Sequence, residues 1–405
     1  MKKILSSGLM VALVLLLGFF AGAYYQSGKK AHSAANLAVV AMQDETAQWS
    51  HFIGSLHRAG SLVDEYTKNL SELDKLEGYR LVTRMTGLGL DRMLETANPA
   101  APQFLRLQSH VRKFAGDAPD QLYHSANVSA DNSYRITGNL SNKRASPVLM
   151  EVSVYGGNMS FEGESSRRLV SHLDETEIIT DKDGNFEIYL GKTRQGENWL
   201  ELADDVKSVL VRRYYRKPQL NDLEPLKIQL VDAEADVAPL TRAQLTKGLL
   251  GTAAFAEEAT RFWHNWVNNV RKQSAVNTMR EMQDNGDLLT PAGIKYTEGY
   301  WQVAPNQALE ITFTPPADIP YWSFVPMNMW MESFDWHLAT VTSNNFMAEP
   351  NEDGSVTLVM SEQNPGVKNW VYVQGHQRGL MSLRFARMGD HAVPEVTTEL
   401  ITLTQ

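Results

Sequence analysis

Asn369-Trp370-Val371-Tyr372-Val373-Gln374-Gly375-His376-Gln377-Arg378-Gly379-Leu380 reads as a strand, a turn and the start of a second strand that runs on to Arg384. Trp370 to Val373 are β-prone residues, and Gln374-Gly375 supplies the break. Alternation puts Trp370, Tyr372, Gln374 and His376 on one face and Val371 and Val373 on the other. The valine face is core. The opposite face gathers indole, phenol, amide and imidazole, and five of the chain's nine tryptophans (Trp301, Trp322, Trp330, Trp336, Trp370) lie in the same C-terminal region.

The pattern repeats outward from there. Glu310 to Phe313, Tyr321 to Met329, Val356 to Met360, Leu380 to Arg387 and Val396 to Leu403 are β-rich runs separated by turn residues. Another strand-rich block covers Tyr123 to Val231, with runs at Tyr134 to Thr137, Val148 to Tyr155, Asn185 to Leu190 and Val209 to Tyr215. Asp181-Lys182-Asp183-Gly184-Asn185 has too few oxygen ligands before its glycine for a calcium loop and reads as a tight hairpin turn. Between the blocks, Thr241 and Gln244 form a capping-box pattern after Pro239. Phe255, Ala259, Phe262-Trp263, Trp266 and Val270 then recur at helical spacing, a stripe expected to pack onto a sheet.

The expected fold is therefore mainly β with α: two β-sandwich or jelly-roll-like domains, a helical N-terminal region and helices at the domain junction. The spans are 1–30 for a signal peptide or membrane anchor, 31–115 helical, 123–235 the first β domain, 236–290 connecting helices and 291–405 the second β domain. No internal repeat is visible.

Composition limits the partners. A formal net charge of -9 over 405 residues, without a basic stripe, argues against nucleic acid. The absence of cysteine excludes disulfides, thiol nucleophiles and Cys-ligated metals. Lys2 and Lys3 before the apolar run Leu9 to Ala23 indicate export. Ala21-Gly22-Ala23 offers a cleavage site; alternatively, Ile4 to Tyr25, about 20 residues, can span a bilayer as an uncleaved anchor. Either way the body is expected outside the cytoplasm, periplasmic or on the inner membrane facing the periplasm.

Several segments resemble the bacterial family known as domain of unknown function 1214, often found with domain of unknown function 1254. They are Asp131 to Gly138; Asp183-Gly184-Asn185-Phe186 with Asn198-Trp199-Leu200 and Val211 to Tyr215; Tyr321-Trp322-Ser323; and Asn369-Trp370 with Gly375-His376, Gly379 and Arg384. The resemblance covers about residues 123–388. It implies a β-rich fold with a jelly-roll-like C-terminal part and supplies no activity.

No Gly-x-Ser-x-Gly elbow, His-Glu-x-x-His, phosphate loop or dinucleotide fingerprint is present. The expected ligand-binding residues are Asn369, Trp370, Tyr372, Gln374 and Arg378, holding a small polar ligand such as a glycan. In an enzyme reading, His376 is acid or base and Arg384 stabilises negative charge. A pocket gathering His376, Arg384 and a carboxylate would favour the enzyme, and an open aromatic groove would favour binding. Against both stands a structural envelope protein in which Trp370 and Tyr372 pack under the Trp263 helix and His376 satisfies a turn. His337, near Glu332 and Asp335, raises a metal or acid-base alternative, but no metal or cofactor is expected. Arg212, Arg213 and Arg216 read as an ion-paired face or an anion contact.

Overall fold

The computed structural model describes residues 45–141, 146–158, 165–222, 224–231, 238–282 and 293–403. The expected signal peptide or anchor, residues 1–30, lies outside them. Among the described residues no helix is long and apolar enough to cross a membrane. The chain divides into two compact units, residues 1–52 and 53–405. In the first, residues 45–52 are the opening turns of α1 (Glu45–Tyr66), where the Trp49 and Phe52 ring centroids lie 5.6 Å apart.

The larger unit contains two β domains. The first is built from β1 (Leu105–Arg106), β2 (Gln121–Asn127), β3 (Tyr134–Asn139), β4 (Leu149–Gly156), β5 (Arg168–Asp174), β6 (Asn185–Gly191), β7 (Trp199–Glu201), β8 (Val206–Tyr214) and β9 (Lys227–Leu230). The second is built from β10 (Arg280–Glu281), β11 (Ile294–Gln302), β12 (Gln307–Phe313), β13 (Tyr321–Met327), β14 (Ser343–Asn344), β15 (Val356–Ser361), β16 (Trp370–Tyr372), β17 (Arg378–Ala386) and β18 (Val396–Thr402). Strand order in the first is β1-β2-β8-β4-β5 and β7-β6-β3-β9; in the second it is β10-β11-β17-β13-β14 and β16-β15-β12-β18.

Each order in the second domain is that of the first with every strand number raised by nine. Even the parallel pairs correspond, β6 with β7 and β15 with β16. The fold is therefore an internal duplication, which corrects the expectation of no repeat. Asp183-Gly184 before β6 answers Asp353-Gly354 before β15, and Asn198-Trp199 answers Asn369-Trp370. These matches are too short and far apart to stand out by eye. Asp183-Gly184 is a turn with Gly184 at φ +79°, but it leads from β5 in one sheet to β6 in the other and joins no paired strands, so it is not a hairpin.

Each domain buries its core between its two sheets. Ile136, Ile188, Val152, Val209 and Val211 fill the first; Leu309, Ile311, Leu358, Met381, Leu383 and Phe385 fill the second. β18 is exposed at Thr397, Glu399, Leu400 and Thr402, whereas β13 is buried along its whole length and β17 over nearly all of it. Two-sided burial explains why these strands lack a clean alternation of polar and apolar residues.

Two further helices cover one end of the second domain's five-stranded sheet. One is α2 (Glu72–Leu90), followed by a π-helical turn, Asp91–Glu95; the other is α3 (Arg242–Gln273), a single 32-residue helix where two were expected. Both helices start with complete capping boxes, Ser71 with Asp74 and Thr241 with Gln244, each cap stabilising by about 1 kcal/mol. Trp263, Val267 and Val270 of α3 pack with Leu81 and Met85 of α2 and with Tyr300, Met327 and Leu380 from the sheet. The tryptophan stripe thus packs on a sheet, as expected, and on α2 as well. At the other end of that sheet Tyr321 and Ala386 meet Leu149 and Tyr214 of the first domain.

Candidate functional site

β16 ends at Tyr372, and Gln374 (φ +50°) and Gly375 (φ +79°) turn the chain so that His376 points back toward the helices. A pocket of about 380 Å³ opens there, lined by Tyr372, Gln374 and His376 from this turn, by Asn328, Ser333, Phe334 and Asp335 from the β13–β14 connection, and by Leu73, Glu77 and Lys113 from the helical side. Its volume falls within the range of small-molecule sites.

His376 is buried, stacked on the Phe334 ring at 4.5 Å between centroids. Its Nδ1 lies 3.0 Å from the Val373 carbonyl, which places the proton on Nδ1 and leaves Nε2 as an acceptor. Nε2 is buried and has no hydrogen-bond partner among the described residues. Burial lowers the imidazole pKa, so the ring is neutral at physiological pH.

Around it the charges are tied together. Lys113 Nζ lies 2.5 Å from Asp335 Oδ1, and Arg80 reaches the same carboxylate at 3.3 Å and Glu77 at 3.2 Å. Burial pushes the Asp335 carboxyl up, but Lys113 and Arg80 outweigh it and hold it at about 2. Behind the wall, Arg84 donates to Glu332 at 2.7 Å; burial nevertheless lifts the Glu332 carboxyl to about 7. Gln374 bridges in both directions to the Asp335 backbone, accepting from its N–H at 2.7 Å and donating to its carbonyl at 3.1 Å. The result is a preformed polar concavity whose charged groups are held in fixed geometry.

Tyr372, Gln374 and His376 therefore converge on one pocket, and the others stand apart. Trp370 tilts against Tyr372 at 5.3 Å and donates Nε1–H to Ser361 Oγ at 3.0 Å, outside the pocket. Neither ring packs under the Trp263 helix. Asn369 is a structural bracket: it accepts from Glu349 N–H and donates to the Glu349 and Thr357 carbonyls. Its counterpart Asn198 makes the same three bonds with Ile179 and Glu187. Arg378 pairs with Gln302 at the start of β17. Gly379, at φ +156°, lets the strand pass so close to β13 that a Cβ would sit 2.0 Å from the Met327 carbonyl oxygen. Arg384 projects into the seam between the β domains, bonded to Gln121 and Gly116. The site thus pairs His376 with Glu77, Asp335 and Lys113, and not with Arg384.

His337 is exposed on the rim beside His110, with ring centroids 5.2 Å apart. Among the described residues no group of three or more acidic or histidine side chains is placed to hold a metal ion. Arg212 and Arg213 take the ion-paired reading, with Glu151 and Asp222, while Arg216 lies over the Phe346 ring. Sequence reasoning missed Glu77, Arg80 and Arg84, which share one face of α2 at three- and four-residue spacing. That mixed-charge stripe was the available signal; Lys113, on a loop, gave none.

The architecture defines a class: a tandem β-sandwich with a helical flank and a charged pocket where the flank meets the second sandwich. The profile of the family described as Protein of unknown function (DUF1214) matches residues 123–219 and 297–387, one stretch in each β domain, and this is the family the motif residues resemble. The crystal structure of an uncharacterised protein from Burkholderia cenocepacia is similar over 88% of this chain and 96% of that one, with a TM-score of 0.77 and 27% identity. The VPA0106 protein from Vibrio parahaemolyticus aligns over 81% of this chain and 98% of its own, at a TM-score of 0.43 and 11% identity. No curated protein matches the chain.

Proposed function

We propose that this is an exported cell-envelope protein that binds a small polar ligand, such as a glycan, in the pocket beside His376. The observation that carries the reading is the pocket's wall: Tyr372 offers a flat ring, and Gln374, Lys113, Asp335 and His376 surround one concavity of about 380 Å³. Aromatic faces next to fixed donors and acceptors suit a hydroxyl-rich molecule. Because the acids are already ion-paired, they orient a ligand more readily than they exchange protons with it. Export rests on the N-terminal apolar run and would be tested by cell fractionation.

A thermal-shift screen of the purified protein against glycans, organic acids, lipids and metals tests the binding. A ligand at a hundred times its dissociation constant adds about 2.7 kcal/mol. The response should vanish in His376→Ala and weaken in Gln374→Ala; a response that survives both variants places the ligand elsewhere and removes the reading.

One observation favours an enzyme acting on the same ligand. The His376 Nε2 lone pair has no hydrogen-bond partner among the described residues, and Lys113 lines the same pocket, where a cation could take the role expected of Arg384. Product formation that is lost in His376→Gln while binding persists would establish it.

A further inference from the structure

The outer faces of the two five-stranded sheets meet, and the central strand of each carries one buried arginine there, Arg212 on β8 and Arg384 on β17. By the duplication these are the same position. Register places a tyrosine beside each: Tyr123 opposite Arg212 and Tyr296 opposite Arg384, with guanidinium to ring-centroid distances of 5.8 and 5.7 Å.

The neighbour on the other side differs. β4 puts Glu151 opposite Arg212, its carboxylate 3.3 Å from the guanidinium; β13 puts Ser323 opposite Arg384. Arg384 consequently donates only to neutral oxygens, Gln121 Oε1 and the Gly116 carbonyl, each at 2.7 Å, and forms no ion pair among the described residues. Its Nε is buried without a hydrogen-bond partner among the described residues, and so is the Tyr214 hydroxyl; Ser323 Oγ is buried beside them, with the Tyr321 hydroxyl as its neighbour. Asp120, the nearby acid, is occupied: its Oδ2 accepts from Tyr321 and Asn344, and burial raises its pKa. Asp120 attracts Arg384 without touching it; a guanidinium buried with no carboxylate in direct contact is costly, and a charge-assisted bond to a carboxylate offsets that cost.

We propose that the seam beside Arg384 binds a small carboxylate, which takes in the second domain the place that the Glu151 side chain takes in the first. One carboxylate oxygen accepts from Arg384 Nε–H, and the Ser323 and Tyr214 hydroxyls complete its shell. Tyr123, Tyr296 and Glu151, on the flank of the cluster, are half-buried, so this is the side from which a carboxylate would enter.

The test is thermal denaturation of the full protein in sodium formate or acetate against sodium chloride at matched ionic strength and pH. A saturable rise in Tm with carboxylate, absent with chloride, is expected. In Ser323→Glu the introduced side chain mimics Glu151, so Tm without carboxylate should rise and the carboxylate response should disappear. If that variant does not fold, Ser323→Ala and Tyr214→Phe should each reduce the response several-fold. His376→Ala should retain it in full, which separates this site from the pocket. Equal shifts in carboxylate and chloride, or a response of wild-type size in the Ser323 and Tyr214 variants, would overturn the proposal.

Discussion

Gly78 on α2 lies so close to Trp330 that a Cβ there would come 2.4 Å from the indole Cζ2 and 2.6 Å from Val63 Cγ1. The contact is locked by the Trp330 Nε1–H, which donates to the Asp74 carbonyl at 2.7 Å. This seat fixes the height of α2 over the second β domain, and with it the position of Glu77 in the pocket wall one residue earlier.

Gly78→Ala should therefore destabilise the protein. Helix propensity favours alanine by about 1 kcal/mol, but overpacking a closed contact costs about 1–3 kcal/mol, and neither the indole nor Val63 has space to yield. A lower urea midpoint at unchanged slope is the expected result. A midpoint equal to or above wild type would show that α2 is free to lift off.

His264 on α3 stacks flat on Tyr66, centroids 4.3 Å apart, and burial depresses its pKa to about 4. Depression means that the fold favours the neutral ring. The contribution is complete above the unfolded value of about 6.5 and is lost as pH falls toward 4, about 3 kcal/mol in all. His264→Phe keeps the stack and removes the titration. Stability curves measured from pH 7 to 4 should be flatter in the variant by about that amount; parallel curves would exclude His264 as a source of acid lability.

Much of the fold was readable because it rests on local chemistry. The Val371 and Val373 core face, the Thr241 capping box and the two β-rich blocks all declare themselves within a few residues. The duplication did not, because what the two domains share is strand order and a few bracketing side chains, such as Asn198 and Asn369, separated by unrelated apolar residues. The site was half legible. Tyr372, Gln374 and His376 are close in sequence, whereas Glu77 and Lys113 reach the pocket from a region some 260 to 300 residues earlier, Glu77 through the packing of α2 on Trp330 and Lys113 through its ion pair with Asp335. Grouping Arg384 with His376 failed because the nine-residue strand Arg378–Ala386 is covered by the helices at Leu380 and by the other β domain at Ala386, and nothing local says where the change falls.

Lys113 is almost wholly buried and its partner Asp335 is held at about 2, below an ordinary value of 3.8. A lowered carboxyl pKa contributes stability above about pH 4 that is lost as pH falls toward 2, about 2 kcal/mol here. Lys113→Met removes the nearer cation and leaves Arg80. The variant should lose about 1–2 kcal/mol at pH 7 and show a shallower decline below pH 4, read from denaturant melts at each pH. An unchanged acid limb would mean that Arg80 alone sets the Asp335 charge.

Trp370 and His376 were read together from one strand, yet the turn at Gln374-Gly375 sends them to different environments. Trp370→Phe keeps most of the ring area and forfeits one hydrogen bond, to Ser361 Oγ, so it should cost about 1 kcal/mol and leave pocket binding intact. His376→Ala removes the Phe334 stack and the Nε2 acceptor, so it should abolish binding as well as lower stability. Titrating the same ligand into both variants separates the two roles: an equal loss of affinity would mean that the ligand spans the turn and that the β16 face, not the pocket alone, forms the site.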